Sequence, residues 1–296
     1  MTPINAKLPR WKVYLRLGRV SNLPTVWTNV IAGVVLARGQ LSFFVIGLLA
    51  LSLSLFYIGG MFLNDTFDRG FDAGARPERP IPAGLISAEH VFAVGLGLLI
   101  AGEILIIACG ACTGAVLRPA MTGGGLAVAI VVYDLWHKQN PLSPIIMGLC
   151  RALVYCTAAS IAGPESSSSV IVGALVGWAY LIGLTYAAKQ ESLNRISSLW
   201  PLGFLAVPFV YGLSVLKGGL FPALVYTCFL VVVILAIRLL RGHSPGRFQR
   251  AVMLLIAGIS LLDALLVAGA GSTAAVLVTA TGFPATLWMQ RWVRGT

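Results

Sequence analysis

Residues 41–63 read LSFFVIGLLALSLSLFYIGGMFL, and residues 64–84 continue NDTFDRGFDAGARPERPIPAG. The first segment carries no charge and is long enough to cross a membrane, which takes about 20 mainly apolar residues. The second breaks the pattern at once. Asp65, Asp68 and Asp72 fall together, beside Arg69, Arg76 and Arg79. The chain of 296 residues is 58% hydrophobic and 10% charged, with ten carboxylates in all. Soluble domains carry about 25% charged residues. No soluble core hides this much apolar surface, so lipid is the expected solvent. The question is what needs so much charge at the end of an oily helix.

Working outward, ten stretches are long and apolar enough to span: roughly 20–38, 41–63, 87–110, 113–135, 143–163, 168–188, 197–216, 219–238, 250–270 and 273–291. The fourth is weakened by Arg118 and Pro119, and the break at 269–272 is slight. With the N-terminus inside and the spans alternating, 17 of the 21 Lys and Arg fall on the cytoplasmic side, Lys7, Arg195 and Arg294 among them. Arg38, Arg118 and Lys217 fall outside, and Arg151 lies two turns into the fifth span. Cytoplasmic loops collect basic residues in this way. The expectation is an all-α, polytopic transmembrane bundle of nine to ten spans with both ends inside. It forms one domain over 1–296, with 1–19 a basic cytoplasmic segment. That segment has no apolar run, so no cleaved leader is expected. The net charge of +11 follows from the same loops. No basic face interleaved with aromatics appears, so nucleic acid is not an expected partner. The five cysteines lie in or beside apolar runs, and neither a disulfide nor a zinc site is expected.

Three polar stretches share the cytoplasmic side: 64–84, YDLWHKQNP (133–141) and YAAKQESLNR (186–195). In the first, Asp65, Asp68 and Asp72 are spaced i, i+3, i+7, with Asn64 one turn before Asp68. On a helix they share one side and repel unless a cation sits among them. Oxygen-only donors suit Mg²⁺, which takes further ligands from phosphate. Arg76 and Arg79 follow between prolines that keep the segment from being helical, and arginine forks match phosphate geometry. Together they read as a magnesium–diphosphate site. Charges that merely set topology would not need aspartates.

The second stretch offers Tyr133, Asp134, His137 and Lys138. An arginine at membrane depth needs a partner, and for Arg151 either Asp134 or a bound diphosphate would serve. His137, with no second His or Cys nearby, reads as an interfacial residue and not a ligand. In the third stretch, Tyr186, Lys189 and Glu191 end the sixth span. Lys189 is either a helix-end anchor or a diphosphate contact. Asn22 enters the bilayer on the same side, as a pocket residue or a helix cap. Glu103 and Asp263 are intramembrane carboxylates, functional candidates by position or local hydrogen-bonding groups.

N-D-x-x-D-x-x-x-D at 64–72 followed by RPERPIPAG at 76–84 resembles the first Asp-rich motif of the UbiA superfamily of intramembrane prenyltransferases. YDLWHKQNPLSPIIMGLCR is similar to its EboC-like branch. The resemblance implies a UbiA-like bundle that uses Mg²⁺ and a polyprenyl diphosphate to prenylate a small acceptor, aromatic or alcohol, within the membrane. Carried over, Asn64, Asp68 and Asp72 would hold Mg²⁺ with Asp65 beside them. Arg79 and Arg76 would hold the diphosphate, and Lys138 and Tyr133 would line the pocket. Where the family commonly has a second D-x-x-x-D, this chain has YAAKQESLNR, in which Glu191 is the only carboxylate. One Mg²⁺ is therefore expected, with Lys189 supplying the charge of a second. A CDP-alcohol phosphotransferase would need glycine where Arg69 stands. A transporter would place its charge near the midplane. A non-catalytic prenyl-lipid binder remains open. The acceptor, the prenyl length and the oligomeric state are not legible.

Overall fold

In lipid every backbone polar group must be satisfied within the protein, and this chain satisfies its own with helices. The computed structural model describes residues 9–138, 140–163, 168–193, 200–242, 246–293 and 295, leaving aside the side chains of 191–193. Lys7, Arg195 and Arg294, and the side chain of Glu191, lie outside the described residues. Among these residues there are twelve α-helices and no strand: α1 (Arg10–Leu17), α2 (Leu23–Leu36), α3 (Phe43–Phe67), α4 (Arg69–Ala75), α5 (Ala88–Thr113), α6 (Leu117–Trp136), α7 (Ser143–Ala162), α8 (Ser168–Leu193), α9 (Val207–Val215), α10 (Leu220–Arg241), α11 (Arg247–Gly269) and α12 (Thr273–Gln290). Short 3-10 turns precede α2 and flank α9.

Each of the ten apolar stretches is helical, but eight helical segments are long and apolar enough to cross a membrane. The two others are Val20–Leu36 and α12. The first has only 17 residues, about 26 Å at 1.5 Å per residue, because the helix stops at Leu36 and the backbone turns left-handed at Arg38, φ 54°. The second is diluted by four threonines and Gln290, and Pro284 interrupts it.

Local signals set the helix ends. Ser42 and Ser87 accept hydrogen bonds from the backbone N–H groups of Val45 and His90, both at 3.3 Å, and so start α3 and α5. Gly114 ends α5 at φ 75°, a conformation that costs glycine little. α3 and α5 cross closely because both are glycine there. A Cβ on Gly59 would lie 2.8 Å from the Gly95 carbonyl oxygen.

The centre of the bundle is α11, buried along most of its length, with α2 packed between it and α7. Outward-facing Phe43, Ile104, Met121, Val128 and Leu220 are exposed, as lipid contact requires. α2 and α11 therefore bring side chains from the two ends of the sequence into one core. The charged ends of α3, α6 and α8 meet beside them.

Candidate active site

Backbone hydrogen bonds one turn apart carry the Asp-rich stretch across the break between α3 and α4 at Asp68. Asp68 N–H donates to Asn64 C=O at 2.9 Å, Asp72 N–H to Asp68 C=O at 2.9 Å, and Arg76 N–H to Asp72 C=O at 2.8 Å. Asn64, Asp68 and Asp72 are thus one helical turn apart, as their spacing predicts. The prolines then end the helix, and the 77–85 turn folds Arg79 back over it. Arg79 Nη1 lies 2.7 Å from Asp72 Oδ2 and 3.2 Å from Asp65 Oδ1. Asp65 Oδ1 also takes Arg19 Nη2 at 3.2 Å. Arg19 is held in the left-handed region at φ 42°. A non-glycine residue there costs of order 1–3 kcal/mol and is usually over-determined by its surroundings. Here the left-handed turn ends α1 and puts the guanidinium on Asp65.

Asp68 faces the second stretch. Lys138 Nζ is 2.8 Å from its Oδ2, and His137 Nε2 is 3.3 Å from its Oδ1. Burial alone would raise the Asp68 carboxyl, but the hydrogen bonds from His137 and Lys138 outweigh it and hold it below the ordinary carboxylate range. His137 stacks on Tyr133 with ring centroids 4.9 Å apart, and Lys138 Nζ sits 4.1 Å over the Phe71 ring. His137, expected as an interfacial residue at the end of α6, also faces Asp68. It reaches the motif because α6 ends opposite α3, which no local pattern announces.

Lys189, on α8, donates to the carbonyls of His137 (3.2 Å) and Asn140 (2.9 Å) and to Ser143 Oγ (2.8 Å). It anchors the turn that carries His137 and Lys138. Tyr186 lies one turn earlier on α8, outside the cavity wall. Asn64 Nδ2 donates to Asp134 Oδ1 at 3.0 Å. Arg151 does not meet Asp134. Its Nη1 donates to Asn29 Oδ1 and to the Thr25 carbonyl, because α7 packs against α2. Asn22 makes no cap bond. Its amide nitrogen donates instead to Tyr57 Oη at 3.0 Å and to the Gly295 carbonyl at 2.9 Å, and Gly295 also lines the cavity.

These groups surround a cavity of about 420 Å³. Its polar end is lined by Arg19, Arg76, Arg79, Lys138, Arg151 and Lys189 against the single carboxylate of Asp68, with Asn22, Asn64 and Tyr133 beside them. Its other wall is apolar and includes Met61, Leu181, Leu184, Val252 and Ile256. Asp65, Asp72 and Asp134 do not line the cavity; they pair with Arg19, Arg79 and Asn64, which do. Such a cavity suits a ligand with an anionic head and a hydrocarbon tail. Arg19, His137, Tyr57 and Thr25 line it without having been singled out as site residues. Arg19 had a signal in its place just before Asn22, and His137 in its place beside Lys138; Tyr57 and Thr25 had none.

Among the described residues no set of three His, Cys, Asp or Glu side chains is arranged to hold a metal ion. The carboxylates of the motif face Arg19, Arg79, His137 and Lys138 instead. The donor set still fits Mg²⁺ in kind, being oxygen-only at one-turn intervals. Asp72 Oδ1 is buried with no hydrogen-bond partner, as is Asp134 Oδ2. Two carboxylate oxygens beside the cavity are therefore uncommitted.

Comparison with known proteins agrees with this geometry. The chain is 38% identical over 104 residues to the digeranylgeranylglyceryl phosphate synthase of Ignicoccus hospitalis, covering 35% of this chain and 34% of that protein. It is 27% identical over 128 residues to the 4-hydroxybenzoate octaprenyltransferase of Vibrio atlanticus, covering 43% of this chain and 42% of that one. The matches thus span between a third and a half of these curated relatives. The fold matches a UbiA homolog from Archaeoglobus fulgidus bound to DMAPP and Mg²⁺ with a TM-score of 0.52 at 14% identity, over 93% of this chain and 98% of that one. The model of the UbiA prenyltransferase family matches residues 25–253, from the start of α2 into α11. With that match over most of its length, this chain belongs to the UbiA prenyltransferase family.

Proposed function

We propose that this chain transfers a prenyl group from a polyprenyl diphosphate to a small acceptor within the membrane, with Mg²⁺ as cofactor. The observation that carries the reading is the cavity, cationic at one end and apolar along the other wall. The relatives' names, with a glyceryl phosphate in one and 4-hydroxybenzoate in the other, support an acceptor that is an alcohol or an aromatic compound. The neighbour bound to DMAPP and Mg²⁺ supports the donor class and the metal. The chain would act as one membrane domain over 1–296 with its active face cytoplasmic, since the basic loops collect on that side. Placement in the EboC-like branch rests on YDLWHKQNPLSPIIMGLCR alone.

Asn64, Asp68 and Asp72 would hold Mg²⁺, which when bound neutralises diphosphate charge. Asp65 is set apart from them by Arg19 and Arg79. Arg76 would take the diphosphate oxygens together with Arg79 and Lys138, which would leave the carboxylates they face in the free protein. Charge develops on the leaving oxygen as the allylic C–O bond breaks. Fixed cations aimed at that charge are the main catalytic term. Tyr133 and the apolar wall would keep water from the allylic cation until the acceptor attacks its carbon and loses a proton. Lys189 would serve by holding the 137–143 turn, and its charge would stand in for a second metal.

A second reading, a non-catalytic prenyl-lipid binder, is favoured by the lack of an aspartate in YAAKQESLNR. The two are separated by titrating geranyl diphosphate into the purified protein with and without Mg²⁺, followed by a turnover assay. Mg²⁺-dependent binding that Asp68→Ala abolishes, with turnover, supports the enzyme. Binding without turnover on any acceptor favours the binder. No binding removes both.

A further inference from the structure

The middle of the bundle holds a buried carboxylate that the prenyl-transfer reading leaves unused. Asp263, on α11, is 0% exposed. It accepts hydrogen bonds from Thr28 Oγ1 at 2.5 Å, from Asn29 Nδ2 at 2.7 Å to each oxygen, and from the Tyr155 hydroxyl. Asn29 Nδ2 also lies 3.1 Å from Tyr155 Oη. At its other end, Asn29 Oδ1 accepts from Arg151 Nη1, which reaches the Thr25 carbonyl as well at 3.4 Å. One side-chain amide therefore joins an arginine on α7 to a carboxylate on α11.

That amide has a direction. Its nitrogen can only donate and its oxygen can only accept. The carboxylate of Asp263 accepts only, so it selects the nitrogen and turns the oxygen toward Arg151. Without the carboxylate, the amide is free to flip and present its N–H groups to a cation. A charged group at this depth costs a few kcal/mol and is normally partnered. Here each charge satisfies the other through Asn29, and neither is in direct contact. The remaining guanidinium nitrogens of Arg151, Nε and Nη2, hydrogen-bond no protein group among the described residues, and Arg151 lines the cavity. Arg19, Arg79 and Lys138, which line the same cavity, are each paired with a carboxylate. Arg151 is not, and its outer edge is left for a ligand.

We infer that Asp263 is a positioning residue that acts through Asn29 to hold Arg151 with its free edge in the cavity, where that edge takes an oxyanion of the substrate pair. The inference rests on the prenyl-transfer reading for the word substrate and on the α2–α7–α11 geometry for the rest. The oxyanion is a phosphate or carboxylate oxygen, supplied by the donor's diphosphate or by an acid group on the acceptor.

The test is binding of three anions to the purified full chain in detergent, by calorimetry: inorganic diphosphate, glycerol 3-phosphate and benzoate. It uses Asp263→Asn, Arg151→Gln and the double variant. Asp263→Asn and Arg151→Gln each weaken at least one anion by on the order of tenfold, the worth of one charge-assisted hydrogen bond. The double variant binds no more weakly than Arg151→Gln alone, since one residue works through the other. A purely structural role for Asp263 would give additive losses. Loss of diphosphate assigns the edge to the donor, and loss confined to the other two assigns it to the acceptor. Tyr155→Phe removes one donor to Asp263 and keeps the ring. It replaces Asp263→Asn if that variant does not fold, with the same non-additivity expected. Additive losses, wild-type affinity in both Asp263→Asn and Tyr155→Phe, or no binding of any of the three anions to the wild type would overturn the inference. The prenyl-transfer reading fails separately, if the wild type shows this coupling but never turns over a prenyl diphosphate.

Discussion

Replacing Arg79 with Gln tests the idea that the chain's own cations occupy the places a metal would neutralise. Arg79 bridges Asp72 (2.7 Å) and Asp65 (3.2 Å), and the Asp72 side chain is only 1% exposed. Asp65 keeps Arg19 when Arg79 is removed, so its share of the loss is small. Asp72 keeps no cation, and its Oδ1 already has no partner. Removing one partner of a buried ion pair costs about 3–5 kcal/mol, because the other charge stays buried. The low end applies here, since Arg79 borders the cavity. At roughly 2–4 °C per kcal/mol, a loss of about 3 kcal/mol lowers the melting temperature by roughly 6–12 °C. The assay is thermal unfolding of the detergent-solubilised protein, once with EDTA and once with Mg²⁺. Mg²⁺ that binds the freed carboxylates stabilises the variant more than the wild type, in proportion to its tighter binding, and narrows the gap. Arg79→Lys keeps a charge there and loses less. An unchanged melting temperature in EDTA would refute the buried-pair argument. An equal Mg²⁺ shift in variant and wild type would refute the link between Arg79 and the metal site.

Four further outcomes follow from the structure. Asp68→Ala lowers prenyl transfer by about 10²-fold or more, the scale seen when an electrostatic stabiliser is removed, and near-normal turnover counts against its role. Lys189→Ala frees the turn that carries His137 and Lys138 and lowers turnover by about tenfold, the worth of one charge-assisted hydrogen bond. Calorimetry gives one Mg²⁺ per diphosphate complex, and full activity in the variant or a stoichiometry of two contradicts the account. Gly59→Val drives a side chain into the Gly95 carbonyl at the α3–α5 crossing and costs about 1–3 kcal/mol by overpacking. An unchanged melting temperature would show that the two helices separate freely.

Much of the site was legible because it is local. Asn64, Asp68 and Asp72 lie one turn apart in the sequence pattern and in the backbone ladder alike, and the prolines after Arg76 end the helix where their missing N–H groups require. What could not be read is which charge meets which. Arg19 pairs with Asp65 across 46 residues, and Asp68 meets His137 and Lys138 from the end of α6, through the docking of helices and not through spacing. The same holds for Arg151. Its depth asked for a partner, but the nearest carboxylate in sequence was not the answer. Asn29 and Asp263 come from opposite ends of the chain and meet only because α2 and α11 share the core. The first span was counted at full length because its hydropathy is continuous. The helix stops at Leu36, two residues before the left-handed turn at Arg38, and nothing in the residue type signals that turn.

The most direct test of the central claim is one transfer assay. Purified protein is incubated with prenyl diphosphates of several lengths, Mg²⁺ and a small-molecule extract of the source cells, with Asp68→Ala in parallel. Mass spectrometry then searches for a species heavier by one prenyl group. The account predicts such a product in the wild type with Mg²⁺, lost with EDTA and in Asp68→Ala. A product that persists without Mg²⁺ or without Asp68, or wild-type protein that neither binds nor consumes any prenyl diphosphate, would contradict it.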